Sequence, residues 1–339
     1  MRPSPQSFGW ALLGPGRIAR QFAAAARSLP DTHIEAVWGR RAERAQALAV
    51  ELGLPGSAAT GELEQVLRNP AVRGVYVATT HDAHAELVRR ALAAGKPVLC
   101  EKPLTTSARL AGELVDLSRS RGVFLMEALW TRFLPVYEGV ARWLEEGRIG
   151  TLRSIGVSFC FPAEYDARGK LFHPDLAGGA LLDIGVYNIA MIRWALEAAH
   201  GAVPPVVSRS VLPVLAPTGV DQAVSALMRH ADGTSVQFLC AFDRFADNTL
   251  VLHGSQGAIE VRETFWKAEA AVLRRRGQAD EWLRAPLACN GFEYEIAAAM
   301  HSIGRGEIEC PRMPHGESVA IARELDALRE LAGVRYPFD

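Results

Sequence analysis

Short apolar runs alternate with amphipathic stretches along the first third of the chain. Phe8 to Leu13 is apolar, and a helical pattern follows to about Ala26. His33 to Trp38 reads as a second strand, with a helix from about Ala42 to Leu52 behind it. Gly74 to Thr79 is apolar nearly throughout, as a strand covered on both faces of a parallel sheet requires. A helix over His81–Ala94, a strand over Pro97–Glu101, a helix over Ala108–Gly122 and a strand over Val123–Met126 continue the rhythm. Strands alternating with helices in this way predict a parallel, doubly wound sheet.

From about Leu152 the βα alternation stops. Leu152–Phe161, Val206–Val214, Asp221–Met228, Thr234–Ala241, Thr249–Gly254 and Ala258–Val261 are short β-type runs. Ala231-Asp232-Gly233-Thr234 and Gly254-Ser255-Gln256-Gly257 are hairpin-type turns. Phe292–Ile303 and His315–Leu331 are helical, the second with Val319, Leu325 and Leu328 as its apolar anchors. The fold class is therefore α/β plus α+β. A Rossmann domain over 1–126 precedes an α+β domain over 127–339, whose largely antiparallel sheet is covered by helices on one face and open on the other. The last helix, about 315–333, is expected to pack near the first domain. A length of 339 residues fits two domains.

Composition removes several function classes. Hydrophobic residues make up 49% and charged residues 22%, which is the range of a soluble globular chain. With 37 basic and 38 acidic side chains the net charge is -1, so no basic excess favours nucleic acid or an anionic membrane. The five cysteines are scattered without a C-x-x-C pair, which argues against zinc and fits a reducing compartment. The first seven residues do not read as a signal peptide, and no apolar run approaches the ~20 residues of a membrane helix. The expected location is cytoplasmic. Arg274-Arg275-Arg276 is read as a solvated hairpin tip.

The chemistry begins at Gly14-Pro15-Gly16-Arg17-Ile18-Ala19, a G-x-G-x-x-A turn between strand and helix. Gly14 permits the tight turn, Gly16 lets backbone N–H groups approach a pyrophosphate, and Arg17 and Ile18 open the helix whose positive end favours it. An acidic residue for a ribose 2′-hydroxyl is expected at the end of the second strand, but Gly39 and Arg40 stand there. A guanidinium suits a 2′-phosphate. Arg40 and Arg41, with Arg44 one turn on, therefore predict NADP(H). Thr79, His81 and His84 are expected to line the cofactor cleft. The histidine pair lacks a third ligand and sits at a helix start, so no metal site is expected. Val98 to Pro103 ends an apolar strand in Glu101-Lys102-Pro103 and puts an ammonium at the carboxyl end of the sheet, where ligands of open α/β sheets bind.

Three stretches resemble the glucose–fructose oxidoreductase / inositol dehydrogenase / rhizopine-catabolism family of NAD(P)-dependent oxidoreductases. They are the nucleotide turn, Ala94 to Pro103 as A-G-K-x-V-x-x-E-K-P, and Gly178 to Tyr187 as G-G-x-x-x-D-x-G-x-[HY]. Met126 to Pro135, with tyrosine at 187, resembles the dihydrodiol dehydrogenases and NADP-dependent D-xylose dehydrogenases within it. The resemblance implies a catalytic Lys102–Tyr187 pairing, a cis Lys102–Pro103 bond and subunit contact through the open sheet face, hence a homodimer or larger assembly.

Oxidising an alcohol needs a base, and a free phenol with a pKa of about 10 is a poor one at neutral pH. A nearby ammonium favours the phenolate, so Lys102 is expected to assist Tyr187. Asp183, four residues earlier on the same helix face, is expected to bind a neighbouring hydroxyl or orient the lysine. Glu101 is expected on the cofactor side. Trp130 and Arg132, with Phe159, Tyr165 and His173, are the candidate substrate contacts. The expected activity is hydride transfer between NADP(H) and a sugar or cyclic diol. A keto- or anhydro-sugar reductase and a non-catalytic NADP-binding sensor are the alternatives, and a sensor would be expected to lose the lysine–aspartate–tyrosine set.

Overall fold

The computed structural model describes residues 7–262 and 264–339. It divides into two compact units. One comprises the chain up to Trp130 together with Ala288–Ala322, and the other Thr131–Leu287 with Arg323–Asp339.

In the first unit the chain runs β1 (Phe8–Leu13), α1 (Arg17–Ser28), β2 (Thr32–Trp38), α2 (Ala42–Glu51), β3 (Ala59–Thr60) and α3 (Leu63–Arg68). It continues through β4 (Gly74–Val77), α4 (His81–Ala93), β5 (Val98–Glu101), α5 (Ala108–Arg121) and β6 (Leu125–Ala128). The strands pair in parallel in the order β3-β2-β1-β4-β5-β6, the doubly wound arrangement whose switch point lies between β1 and β4. Strands β1, β4, β5 and β6 are buried at every position, which explains why they read as continuous apolar runs. β3 and α3 were not expected: β3 has two residues, and its pairing covers only Val37 and Trp38 of β2.

In the second unit, α6 (Pro135–Glu145) leads to β7 (Leu152–Cys160). A π-helical turn over Leu181–Gly185 runs into α7 (Val186–His200). β8 (Val206–Leu215), β9 (Asp221–His230), β10 (Ser235–Ala241), β11 (Leu250–Gly254), β12 (Gly257–Val261), β13 (Ala270–Arg275) and β14 (Glu281–Arg284) follow. They form an eight-stranded sheet in the order β14-β13-β12-β11-β7-β10-β9-β8, antiparallel except where β10 runs parallel to β7. Both hairpin turns are where the sequence put them, and Asp232 ties the first by accepting from the Thr234 amide at 3.0 Å. β13 and β14 extend the sheet through the arginine run, with Arg274 held by Glu260 and Asp280.

The remaining helices, α8 (Phe292–Gly304) and α9 (His315–Ala332), do not simply belong to the second domain as the 127–339 boundary expects. Residues 288–322 join the first unit. Asn290 donates to the Gln21 carbonyl of α1, Ile308 accepts from the Leu125 amide, and the buried His315 ring meets the Leu125 carbonyl. Val319 and Ala322 pack into the first core, while Glu324, further along α9, pairs with Arg209 of β8. One stretch, Pro174–His200, is long and apolar enough to span a membrane, at a mean hydropathy of 1.3, contrary to the sequence expectation. Its apolar window is 83% buried inside the protein, as the core helix of a globular unit is.

Candidate active site

The nucleotide turn is built around Gly14, whose φ of +114° is closed to side chains; a Cβ there would lie 2.6 Å from the Ala78 carbonyl oxygen. Gly16 has only that oxygen within 4 Å of a would-be Cβ, so the backbone above it is open to a large anion. α1 starts with no side-chain cap and no acidic residue in its first turn, leaving its N–H groups and positive end for that anion. Ala19, fully buried, lets the helix lie against the strand. These residues fit a dinucleotide pyrophosphate.

At the end of β2, a Cβ on Gly39 would lie 2.9 Å from the Pro15 ring, so position 39 has no room for a carboxylate. Arg40, Arg41 and Arg44, which follow it, are exposed, as is Arg17 at the head of α1. Ile18, Thr79 and His81 are half-buried.

The turn that carries Lys102, just beyond β5, is fixed from several sides. Lys102–Pro103 is cis. The fully buried His84 ring, 5.9 Å from that of His81, donates through Nδ1 to the Pro103 carbonyl at 2.9 Å, and burial lowers its pKa so that it stays neutral. Glu127 of β6 accepts from the Leu104 amide at 2.8 Å. The structure thus gives His84 a structural partner in the Lys102 turn. Lys102 itself is half-buried.

Glu101 is buried and accepts from the Tyr76 hydroxyl of β4. Glu295 of α8 was not singled out by its sequence. It is fully buried, and neither carboxyl oxygen has a hydrogen-bond partner among the described residues. Burial first, and the neighbouring Glu101 second, push its pKa well above the ordinary value. A raised pKa means that the folded chain keeps a proton the unfolded chain releases, so this contribution to stability is present at low pH and is lost as pH rises. Glu295→Gln, neutral at every pH, is expected to raise the thermal unfolding midpoint by about 2 °C or more near pH 8 and by less near pH 5. Scanning calorimetry at the two pH values checks this.

In the second unit Tyr187 sits in the first turn of α7 and is 7% exposed. Its ring lies 5.6 Å from Phe159, which in turn stacks on Trp266 at 3.3 Å and 5°. Asp183, half-buried, lies on the π turn, with its amide bonded to the Gly179 carbonyl at 3.1 Å. The sequence reading placed both on a regular helix. The widened turn is of a kind that recurs at functional sites. Phe159 and Tyr187 are therefore brought together, with Trp266 added to them.

The other candidate contacts are dispersed. Trp130 is buried in the first unit, stacked on Phe292 at 4.9 Å. Arg132 is buried in the second and pairs with Glu197 at 3.2 Å. Tyr165 is exposed beside Phe172, and the half-buried His173 accepts from the Asp175 amide. Asn248, at a φ of +53°, bonds the Cys160 backbone with both ends of its amide.

Residues 8–129 match the model of an oxidoreductase family with an NAD-binding Rossmann fold, GFO/IDH/MocA, and residues 137–260 match the C-terminal domain of that family. A trans-1,2-dihydrobenzene-1,2-diol dehydrogenase of Mus musculus is 32% identical over 339 residues, covering 97% of this chain and 98% of that protein. The human enzyme of the same name is 32% identical over 344 residues, with the same coverage. A 3-ketoreductase from Actinomadura kijaniata, solved with NADP and TDP-benzene, superimposes with a TM-score of 0.83 at 29% identity over 96% of this chain and 97% of its own. An aldose–aldose oxidoreductase from Caulobacter crescentus shares the fold, with a TM-score of 0.85 at 21% identity over 96% of this chain and 98% of its own. Two family models spanning both units, and full-length relatives at this identity, place the chain in the GFO/IDH/MocA family of oxidoreductases.

Proposed function

We propose that this protein is an NADP-dependent oxidoreductase that moves hydride between the nicotinamide and a CH–OH carbon of a cyclic diol or sugar. The observation that carries the reading is the turn at Lys102, where the next peptide group, Pro103–Leu104, is held at its carbonyl by His84 and at its amide by Glu127. A side chain positioned that firmly at the end of a sheet strand suits chemistry better than solvent exposure.

Gly14, Gly16, Arg17 and Ile18 hold the pyrophosphate, Arg40 and Arg41 the 2′-phosphate, and Thr79, His81, Glu101 and Lys102 the remainder. When bound, the cofactor accepts or donates the hydride. Tyr187 takes the hydroxyl proton in oxidation and returns it in reduction, assisted by the Lys102 ammonium. Asp183 holds a neighbouring hydroxyl. The Phe159–Trp266 stack beside Tyr187 offers an apolar face to a ring.

The relatives named as dihydrodiol dehydrogenases favour oxidation of a trans-diol, and the ketoreductase neighbour favours the same chemistry in reverse. Purified protein with NADP⁺ and trans-1,2-dihydrobenzene-1,2-diol, D-xylose or D-glucose is expected to gain the near-ultraviolet absorbance of reduced nicotinamide with at least one of them. Cofactor binding without turnover of any member, in either direction, overturns the enzyme reading in favour of a sensor.

The second sheet supports a homodimer. Leu212, Leu227 and Val214 on β8 and β9 are 72%, 56% and 46% exposed, which is unusual for a sheet face left in water. A cavity of about 410 Å³ on that face is lined by Ser210, Leu212, Ser225, Leu227 and neighbouring residues. Sedimentation is expected to give a dimer for the wild type and a monomer for the Leu212→Asp, Leu227→Asp double variant. A monomeric wild type refutes it.

A further inference from the structure

The diglycine that opens the Gly178–Tyr187 stretch is gripped from both sides by residues that no motif marks. Gly179 has a φ of +125°, and a Cβ there would run into Oδ1 of Asp221. Asp221 opens β9 and is fully buried. Its Oδ2 accepts from the Leu181 amide at 2.6 Å, at the start of the π turn, and the neighbouring Ala180 amide also favours its charged form. Its Oδ1 has no hydrogen-bond partner among the described residues. From the other side, the hydroxyl of Tyr336 donates to the Gly178 carbonyl at 2.7 Å.

Tyr336 belongs to the C-terminal segment beyond α9, and that segment is itself anchored. Arg329 lies over the Tyr336 ring at 4.9 Å and forms a two-pronged ion pair with Asp339 at 2.7 and 2.8 Å. Asp339 also accepts from the Tyr336 amide at 2.8 Å, and Phe338 stacks on the Tyr336 ring at 5.3 Å. All these groups lie in the second unit.

We propose that Asp221 and Tyr336 form a clamp on Gly178–Gly179 that sets the register of the π turn, which makes them positioning residues for Asp183 and Tyr187. The proposal deepens the functional reading above and rests on it. The turn needs such a clamp because a π turn is a poorer hydrogen-bonding arrangement than an α turn and persists only where neighbours enforce it. The clamp bonds the chain just before the turn, at Gly178, and at its first residue, Leu181. A shift of the reacting groups by about 1 Å can cost up to about a hundredfold in rate.

Burial raises the Asp221 pKa to about 7 against the pull of the Leu181 and Ala180 amides and of Arg329. The titratable groups facing it are Arg329 from α9, Tyr336 from the C-terminal segment and Cys240 from β10. The ionised carboxylate is the stronger acceptor for the two amides. The clamp therefore tightens as pH rises through the neutral range.

Two variants test it, Tyr336→Phe and Asp221→Asn, with Tyr187→Phe as the reference for the reaction itself. Tyr336→Phe keeps the ring over Arg329 and loses only the hydroxyl, and Asp221→Asn keeps one acceptor oxygen and loses the titration. Hydrogen-exchange mass spectrometry of the peptide covering residues 178–187 reads the clamp without any substrate. Faster exchange there in both variants than in the rest of the second unit, with NADP⁺ affinity unchanged, is the expected result. With NADP⁺ and the diol or aldoses above, kcat is expected to fall about tenfold with little change in KM. The wild-type pH dependence near neutrality is expected to flatten in Asp221→Asn. Wild-type exchange over 178–187 in both variants overturns the clamp. So does wild-type kcat in both while Tyr187→Phe is inactive. A fully active Tyr187→Phe overturns the functional reading instead and leaves the exchange result to judge the clamp.

Discussion

Tyr187→Phe is expected to lower kcat by about 10²–10⁴-fold, the usual contribution of a positioned acid/base group. The substitution removes one oxygen from a ring that is 7% exposed and packed against Phe159, so the fold and the aromatic surface remain. Lys102→Met keeps the length of the side chain and removes its charge. The turn that carries it is fixed through Pro103 and Leu104 by His84 and Glu127, none of which is altered. It too is expected to lose at least about a hundredfold. For both variants kcat and kcat/KM should fall together, as happens when an interaction belongs to the transition state. On the proposed mechanism the two residues serve one proton transfer, so the double variant is expected to be no worse than the poorer single one. Steady-state kinetics with NADP⁺ and the diol or aldose that the wild type turns over provide the measurement. Cofactor fluorescence titration serves as the control, with unchanged affinity expected for Tyr187→Phe. Wild-type turnover in either single variant removes that residue from the mechanism.

The parts of the molecule legible in the sequence are those where local chemistry and tertiary role coincide. β1, β4 and β5 are buried on both faces and read as apolar runs; Gly14 sits where backbone conformation demands it, and Gly16 where the helix start is left open. The Lys102 turn was legible as a position, because a strand ending in Glu-Lys-Pro is locally abrupt. Its supports were not: His84 and Glu127 meet it from 18 and 25 residues away in the chain, across strand pairings that no local pattern encodes. Residues 288–322 follow the strands of the second domain along the chain, yet Asn290 and His315 bond back to α1 and β6. β13 does not read as a strand because its end carries Arg274 and Arg275, whose charges are met by Glu260 and Glu281 on adjoining strands. The π turn has no local signature beyond its glycines. Asp221 and Tyr336 lie 40 and more than 150 residues from the segment they grip, so a sequence window shows one only as the first residue of a strand and the other only as a tyrosine near the end of the chain.

The remaining large effect concerns the choice of cofactor. Arg40→Ala is expected to weaken NADP⁺ binding by about 10- to 100-fold, the worth of one hydrogen bond to a charged group at 1.5–3 kcal/mol. NAD⁺ affinity should stay within about twofold, because nothing else in its binding is touched. The geometry at the end of β2 is the reason. A carboxylate that would hold a ribose 2′-hydroxyl has no room at position 39, where a side chain would strike Pro15, and the next residues are the exposed Arg40 and Arg41. Arg40→Asp should go further and invert the preference, since it adds repulsion toward the 2′-phosphate to the loss of attraction. The guanidinium is in water, so the NADP⁺ advantage of the wild type should shrink as salt rises from about 0.01 to 0.5 M, while NAD⁺ binding changes little. Isothermal titration with both cofactors at the two salt concentrations separates the possibilities. Equal affinities in the wild type, or a loss in Arg40→Ala shared equally by NAD⁺ and NADP⁺, would remove Arg40 from the 2′-phosphate and leave the cofactor preference without a residue to set it.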